Sequence, residues 1–278
     1  MRTALTYLYV PGDVPKRFDK ALASGTDAVV LDLEDAVTAP NKDHARATVA
    51  EWVAACDPGD VQIWVRVNPG PLQEDDIRAV LHPNLTGIWL PKVSSAREVE
   101  QADALLGGSS AVVSPLIETA AGVFAALEIA RAPRVKFLQI GEVDLAADLG
   151  VDGSAESLSF VRAQVVAASV AAGIDPPPAA VSRNFRDADA FEADTRTLAG
   201  LGFVGRACIH PAQLGPVRTV FVPSEDEVRE AQELLADLER ATSGVAVDSK
   251  GFLIDEAVAR SARRVAQRGV ARETMARS

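Results

Sequence analysis

Short apolar runs recur along the chain, and longer stretches with helical spacing separate them. Residues 111–117 (AVVSPLI) and 135–140 (VKFLQI) are the clearest pair. Both are short, β-rich and bounded by Pro or Gly, as strands buried on both faces are. Residues 122–130 between them read as a helix. A strand–helix–strand unit sets both strand ends on one side of a sheet. Glu118 and Asp144, just past the two runs, are therefore expected at one face. Acids in such places also serve as helix caps, so the rest of the chain decides between a cap and a shared site.

The same rhythm runs from end to end. Strands are expected at 5–10, 28–35, 62–67, 87–91, 111–117, 135–140, 179–182 and 205–210, the seventh being weak. Helices are expected at 15–22, 41–55, 75–81, 95–106, 122–130, 157–172, 187–201 and 224–240. Ser224 with Glu225, Asp226 and Glu227 makes a strong helix start. Eight strands alternating with helices over about 220 residues predict a (β/α)₈ barrel. An open doubly wound sheet is the alternative, but no Gly-rich fingerprint follows the first strand. Residues 1–222 would form the barrel and 223–278 a helical extension.

A barrel gathers all its strand ends at one mouth. Asp32, Glu34, Arg66, Lys92, Glu118, Asp144 and His210 would then converge, which favours a site over capping for the set. Two converging carboxylates suit a hard divalent cation such as Mg²⁺. Asp32, Glu34 and Asp35 repel one another and call for a cation or donors. Arg66 is expensive to bury unless it faces carboxylates or a ligand. Lys16, Arg17 and Lys20 stand near a helix start, where the macrodipole disfavours cations; they are either solvated or hold an anion. His44 and His82 read as surface or structural residues, with His82-Pro83 in a turn.

Composition narrows the field. A net charge of −11 argues against a nucleic-acid surface. Hydrophobic residues make up 48% and aromatics 5%, so the apolar content is mainly small aliphatic side chains. Cys56 and Cys208 form neither a disulfide framework nor a zinc motif, and both are expected reduced and buried. The first apolar run is too short for a signal peptide, and none is long enough to cross a bilayer. A soluble cytoplasmic protein is the expectation.

Seven motifs carry a resemblance: residues 10–18 (VPGDVPKRF), 31–37 (LDLEDAV), 65–69 (VRVNP), 90–93 (LPKV), 116–120 (LIETA), 141–146 (GEVDLA) and 208–213 (CIHPAQ). In order and over nearly the whole chain they resemble the citrate lyase beta subunit-like family of Mg²⁺-dependent CoA-ester lyases, in the HpcH/HpaI aldolase superfamily. The resemblance implies Mg²⁺ held by Glu118 and Asp144, with Glu118 also near the substrate. It implies Arg66 on the substrate's oxygens, and Asp32, Glu34 and Asp35 orienting waters on the metal. Arg17 and Lys20 would meet the CoA phosphates. Asp255 would reach a neighbouring subunit's site in a homotrimer or hexamer. Arg66, Glu34 and Asp255 form the expected catalytic set. Two departures stand out: residues 181–184 read VSRN where an aspartate is usual, and Glu142 is an extra acid, read as solvent-facing or capping.

The chemistry follows. Cleaving a 3-hydroxyacyl thioester between C2 and C3 leaves a thioester enolate and a carbonyl fragment. Mg²⁺ acidifies the hydroxyl, Arg66 stabilises the enolate oxygen, and Asp255 moves the proton on the enolate carbon. Run backwards, the site condenses acetyl-CoA with glyoxylate or pyruvate. The favoured reading is a lyase or synthase on malyl-CoA or citramalyl-CoA, with an acyl-CoA and a small 2-oxo acid or dicarboxylate as partners. A beta subunit of a carrier-protein citrate lyase is second. A non-catalytic CoA- or dicarboxylate-binding barrel is third, and Glu118, Asp144 and Arg66 speak against it.

Overall fold

The computed structural model describes residues 3–241, 244–248 and 251–276. The chain divides into two compact units, Met1–Arg218 and Thr219–Ser278.

The first unit is built on a parallel sheet. Its strands are β1 (Thr6–Pro11), β2 (Ala28–Asp32), β3 (Gln62–Arg66), β4 (Leu85–Leu90), β5 (Val112–Ile117), β6 (Gln139–Ile140) and β7 (Arg206–Cys208). They lie in the order β6-β5-β4-β3-β2-β1-β7, all parallel. The helices between them are α1 (Phe18–Leu22), α2 (Lys42–Ala55), α3 (Gln73–Val80), α4 (Ala96–Leu106), α5 (Ala120–Ala130), α6 (Glu142–Leu149), α7 (Ser159–Ala172) and α8 (Ala188–Gly200), and α9 (Leu214–Phe221) follows β7 across the end of the unit. α6 and α9 carry too few periodic positions to stand out in the sequence.

Alternation along each strand divides the core. One set, Tyr7, Ala28, Val30, Trp64, Trp89, Leu116, Phe137 and Ala207, forms an aromatic-rich cluster on one face of the sheet. Tyr7 meets Phe137 at a ring separation of 5.4 Å and Trp89 at 5.6 Å. Gly87 leaves room for Trp64, whose ring would lie 2.6 Å from a β-carbon at that position. The other set includes Val29, Leu31, Ile63, Val65, Ile88 and Leu90, also fully buried. Burial on both faces is the reason the strands read as nearly continuous apolar runs. The helices bury one stripe each, as with Ala45, Val49 and Val53 of α2 and Val99, Ala102 and Leu106 of α4. Ser95 and Glu98 close a capping box on α4.

Two expected strands are shorter than their apolar runs. In residues 135–140 only Gln139 and Ile140 pair with β5, after a single bridge at Val135. Pro115 of β5 has no N–H to continue the ladder between them. In residues 179–182 only Ala179 pairs, through a bridge to Arg206. Pro176, Pro177 and Pro178 precede it, and the carbonyl of Ala180 accepts from the Arg206 side chain instead. The sheet therefore has seven strands, with Ala179 bridging outside β7.

In the second unit, α10 (Glu225–Arg240) starts with the Ser224–Glu227 capping box. A two-stranded antiparallel hairpin, β8 (Ala246–Val247) and β9 (Leu253–Ile254), precedes α11 (Glu256–Ala276). Cys208 is buried, whereas Cys56 is only partly so and both are free.

Candidate active site

The strand ends open onto a cavity of about 790 Å³. The alternation that builds the aromatic cluster also points Tyr9, Asp32, Arg66 and Glu118 the same way, since each stands two residues past a cluster member. All four line the cavity, with Asp144 and His210 from beyond the strands and Arg17 and Lys20 from the segment after β1.

Arg66 is the hub. Its Nε and Nη2 donate to the two oxygens of Asp32 at 2.7 and 2.6 Å, a fork-on-carboxylate pair. Nη1 donates to Asp35 at 3.2 Å. Three of its five N–H groups are thus engaged. Its guanidinium lies 5.3 Å from the centre of the Tyr9 ring. Burial alone would lower its pKa, but the hydrogen bonds it donates to Asp32 and the surrounding negative charge outweigh that and raise it. Asp32 also accepts from the N–H groups of Glu34 and Ala36, so one carboxylate organises both the loop and the arginine.

Glu34 is buried at 4% exposure. Arg66 Nη1 lies 2.9 Å from its Oε2 and Lys92 Nζ 3.5 Å from its Oε1. Neither oxygen has a partner in hydrogen-bonding geometry. Burial pushes its pKa up to about 7, against the opposing pull of Arg66. Lys42 of α2 pins the loop from behind, its Nζ donating to the carbonyls of Leu33 and Glu34 at 2.7 and 2.5 Å.

Glu118 is also buried, at 3% exposure. Its Oε2 accepts from the Lys92 N–H at 2.9 Å. Lys92 reaches that position with φ of 56°, a left-handed conformation that costs a lysine about 1–3 kcal/mol. The other oxygen lies against Gly141: a β-carbon there would sit 2.1 Å from Glu118 Oε1. Burial raises the Glu118 pKa, the Lys92 N–H and Arg66 oppose it, and Asp144 adds to it. Asp144 stands in the first turn of α6, at a positive helix end.

The structure corrects one of these readings and locates the remaining residues. Glu142 is neither solvent-facing nor a cap; both its oxygens accept from buried Arg162, at 2.7 and 2.8 Å. Asp144 stands on α6. His210 is a helix cap that also lines the cavity: its Nδ1 accepts from Ala212 N at 3.1 Å, and its ring stacks on Phe185 at 5.2 Å. Arg17 and Lys20 are exposed at the cavity edge with no ion pair among the described residues. Asp255 belongs to the second unit, where its carboxylate accepts from Val258 N at 2.9 Å and caps α11. No group of three or more His, Cys, Asp or Glu residues suited to a metal occurs among the described residues. Tyr9, Lys42 and Gly141 escaped the sequence reading. Tyr9 was legible from its alternation with Tyr7; the other two act through the backbone and space, which leave no motif.

Comparison with known proteins adds to this geometry. Residues 5–211 match the family model for HpcH/HpaI aldolase/citrate lyase. The citrate lyase subunit beta of Leuconostoc mesenteroides subsp. cremoris is 32% identical, over 95% of this chain and 92% of its own length. An L-malyl-CoA/beta-methylmalyl-CoA lyase of Cereibacter sphaeroides is 34% identical, over 89% of each chain. Among solved structures, the CitE protein of Mycobacterium tuberculosis in complex with magnesium, acetoacetate and coenzyme A superposes with a TM-score of 0.82. It is 31% identical, over 97% of this chain and 99% of that one.

Proposed function

Because the chain belongs to the HpcH/HpaI aldolase/citrate lyase family, we propose that it is a Mg²⁺-dependent carbon–carbon lyase. Its substrates are 3-hydroxyacyl-CoA thioesters such as malyl-CoA or citramalyl-CoA, and it runs the reverse condensation at the same site. The observation that carries this reading is the buried Glu118 carboxylate, held on one oxygen by the Lys92 N–H and set against Gly141 beside the cavity.

The residues fit the metal. Glu118 and Asp144 supply only oxygen donors, and Mg²⁺ binds through one or two carboxylates while keeping waters and substrate oxygens. Two protein ligands without a third therefore suit it. A dication also relieves the crowding of Asp32, Glu34, Asp35, Glu118 and Asp144 around two cations, Arg66 and Lys92. When bound, it supplies Lewis-acid polarisation of substrate oxygens.

The chain's own groups do the rest. The spare N–H groups of Arg66 face charge that develops on the enolate oxygen. That charge is absent from the ground state, so the interaction lowers the barrier. The hydroxyl proton leaves to a carboxylate; Glu34, whose pKa burial pushes up to about 7, is suited to hold it. The C2–C3 electron pair stays with C2 as the thioester enolate, and C2 then takes a proton. We assign that donation to Asp255 of a neighbouring copy in a trimer or hexamer. The exposed Val247, Phe252 and Leu253 of the hairpin support such a packing surface. Arg17 and Lys20 are free to hold CoA phosphates. The seven-stranded order with Ala179 bridging past β7 supports a barrel closed by an eighth strand. A cytoplasmic location suits a chain with no described helix long and apolar enough to cross a membrane.

The experiment is a panel of acyl-CoA thioesters and 2-oxo acids incubated with purified protein and Mg²⁺, with products read by mass spectrometry. Cleavage or condensation that needs Mg²⁺ and disappears in Glu118→Gln and Asp144→Asn is the expected result. Activity that survives chelation overturns the metal reading, and no turnover of any thioester overturns the lyase reading.

A further inference from the structure

Resting on the lyase reading, we propose that the site takes thioesters whose hydroxyl-bearing carbon carries one carboxylate and a hydrogen or methyl group, and rejects those carrying a second carboxylate arm. Val181 sets this limit.

The charge around the cavity is the first reason. Among the described residues its lining cations are Arg17, Lys20 and Arg66. Arg66 already answers Asp32 twice and Asp35 once, with Glu34 Oε2 also 2.9 Å from its Nη1, and its two remaining N–H groups are those that face the enolate oxygen. Lys92 is not in the lining and leans on Glu34. Arg17 and Lys20 are exposed, so they hold anions in water rather than in a dry pocket. His210 has its Nδ1 occupied by the cap and offers at most one N–H. One substrate carboxylate would be matched by the cation that Glu118 and Asp144 would hold. A second would enter a wall already carrying Asp32, Asp35, Glu118 and Asp144, with no buried cation left to meet it.

The second reason is the apolar part of the cavity lining. Val181 is half-buried, lines the cavity, and packs against the same aromatic cluster as Tyr9. Ala207, the cluster residue contributed by β7, is small. Ala180 beside it is buried and also lines the cavity. A substituent reaching this wall meets methyl groups. A hydrogen or methyl fits there; a carboxymethyl group strands a charge.

The test compares kcat/KM for malyl-, citramalyl- and citryl-CoA in the wild type, Val181→Ser and Val181→Lys. A calorimetric arm measures binding of pyruvate and oxaloacetate to the Mg²⁺-loaded protein. Wild type should cleave the citryl thioester at least about 10²-fold less efficiently than the others, the usual effect of an unmatched buried charge. Pyruvate should bind more tightly than oxaloacetate. Val181→Ser should narrow the citramalyl preference over malyl by about 10-fold, the lower end for a lost apolar contact. Val181→Lys should raise citryl cleavage relative to citramalyl. Citryl cleavage within about 10-fold of the others overturns this inference and leaves the lyase reading standing. If no thioester is cleaved, the lyase reading falls, and the binding arm still decides: equal or tighter oxaloacetate binding, or no binding of either acid, overturns the proposal. Should Val181→Lys fail to fold, the serine variant and the wild-type ratios carry the decision.

Discussion

Gly141→Ala is the sharpest single perturbation of the proposed metal site, because it moves a ligand without touching it chemically. Gly141 has φ of −89° and ψ of 81°, so an alanine accepts the backbone without entering the left-handed region. Its β-carbon, however, would lie 2.1 Å from Glu118 Oε1, 2.5 Å from Cγ and 2.7 Å from Cδ. Carbon and oxygen need more than about 3 Å, so the carboxylate must retreat by about 1 Å, a displacement that typically costs about 10²-fold in rate when it misplaces a reacting or binding group. Retreat also weakens the Lys92 N–H bond to Oε2. Overpacking of this kind destabilises by about 1–3 kcal/mol. The expected variant is folded and modestly less stable in urea. Calorimetry should show weakened Mg²⁺ binding, and kcat should fall about 10²-fold. Combining it with Glu118→Ala, which removes the atoms the β-carbon would meet, separates cause from coincidence. If the alanine acts through Glu118, it costs the double variant no further stability in urea. Wild-type Mg²⁺ affinity and turnover in Gly141→Ala, or fully additive stability losses in the double variant, refute the reasoning.

Four further outcomes are expected. Arg66→Lys keeps the charge but loses the fork on Asp32, so kcat should fall about 10²-fold and by more than KM rises; wild-type kcat would make Arg66 purely structural. Lys42→Met frees the carbonyls of Leu33 and Glu34 and should lower kcat about 10-fold with KM little changed, at a stability cost of about 1–3 kcal/mol; an equal rise in KM would argue against a positioning role. Glu34 rises from 4.5 to about 7 on folding, so between those pH values the folded metal-free protein keeps a proton that the unfolded chain loses. Stability should therefore fall as pH rises through that window and level off above it, and Glu34→Gln should flatten the slope in chemical denaturation. Asp255→Asn should lower turnover about 10²–10⁴-fold, and mixing it with Glu118→Ala chains should restore activity if neighbouring copies share a site; mixed oligomers that recover nothing exclude sharing.

What the sequence could and could not disclose follows from the physics of each residue. Strands buried on both faces announce themselves as apolar runs, so the parallel αβ alternation and the convergence of Asp32, Arg66 and Glu118 were legible from periodicity alone. Ladder length was not. Pro115 and the run Pro176–Pro178 remove N–H groups from strands whose apolar content looks continuous, and hydrogen-bond supply, rather than hydrophobicity, ends a ladder. The residue types of the site were likewise visible, but not their partners. Glu142 looked like one more acid at the mouth, yet its charge is answered by Arg162 from α7. That pairing joins positions 20 apart in sequence and follows no motif.

The least legible features are those that aim Glu118. A sequence shows the acid and shows Gly141, but not that the missing β-carbon is where the carboxylate lies. It shows Lys92 as a cation at a strand end, whereas its backbone N–H, turned by a left-handed φ, is the group that bonds Glu118. The Lys92 side chain leans on Glu34 instead, so one residue serves two acids through two different groups. Replacing Lys92 by glycine separates these roles. The glycine adopts the same backbone without strain, so Glu118 keeps its donor while Glu34 loses one of its two cations and keeps Arg66. Lys92→Gly should therefore retain Mg²⁺ binding, whereas Gly141→Ala should not. If Lys92→Gly abolishes metal binding as completely as Gly141→Ala, the ammonium holds the site together, and the left-handed turn at Lys92 is not what aims Glu118.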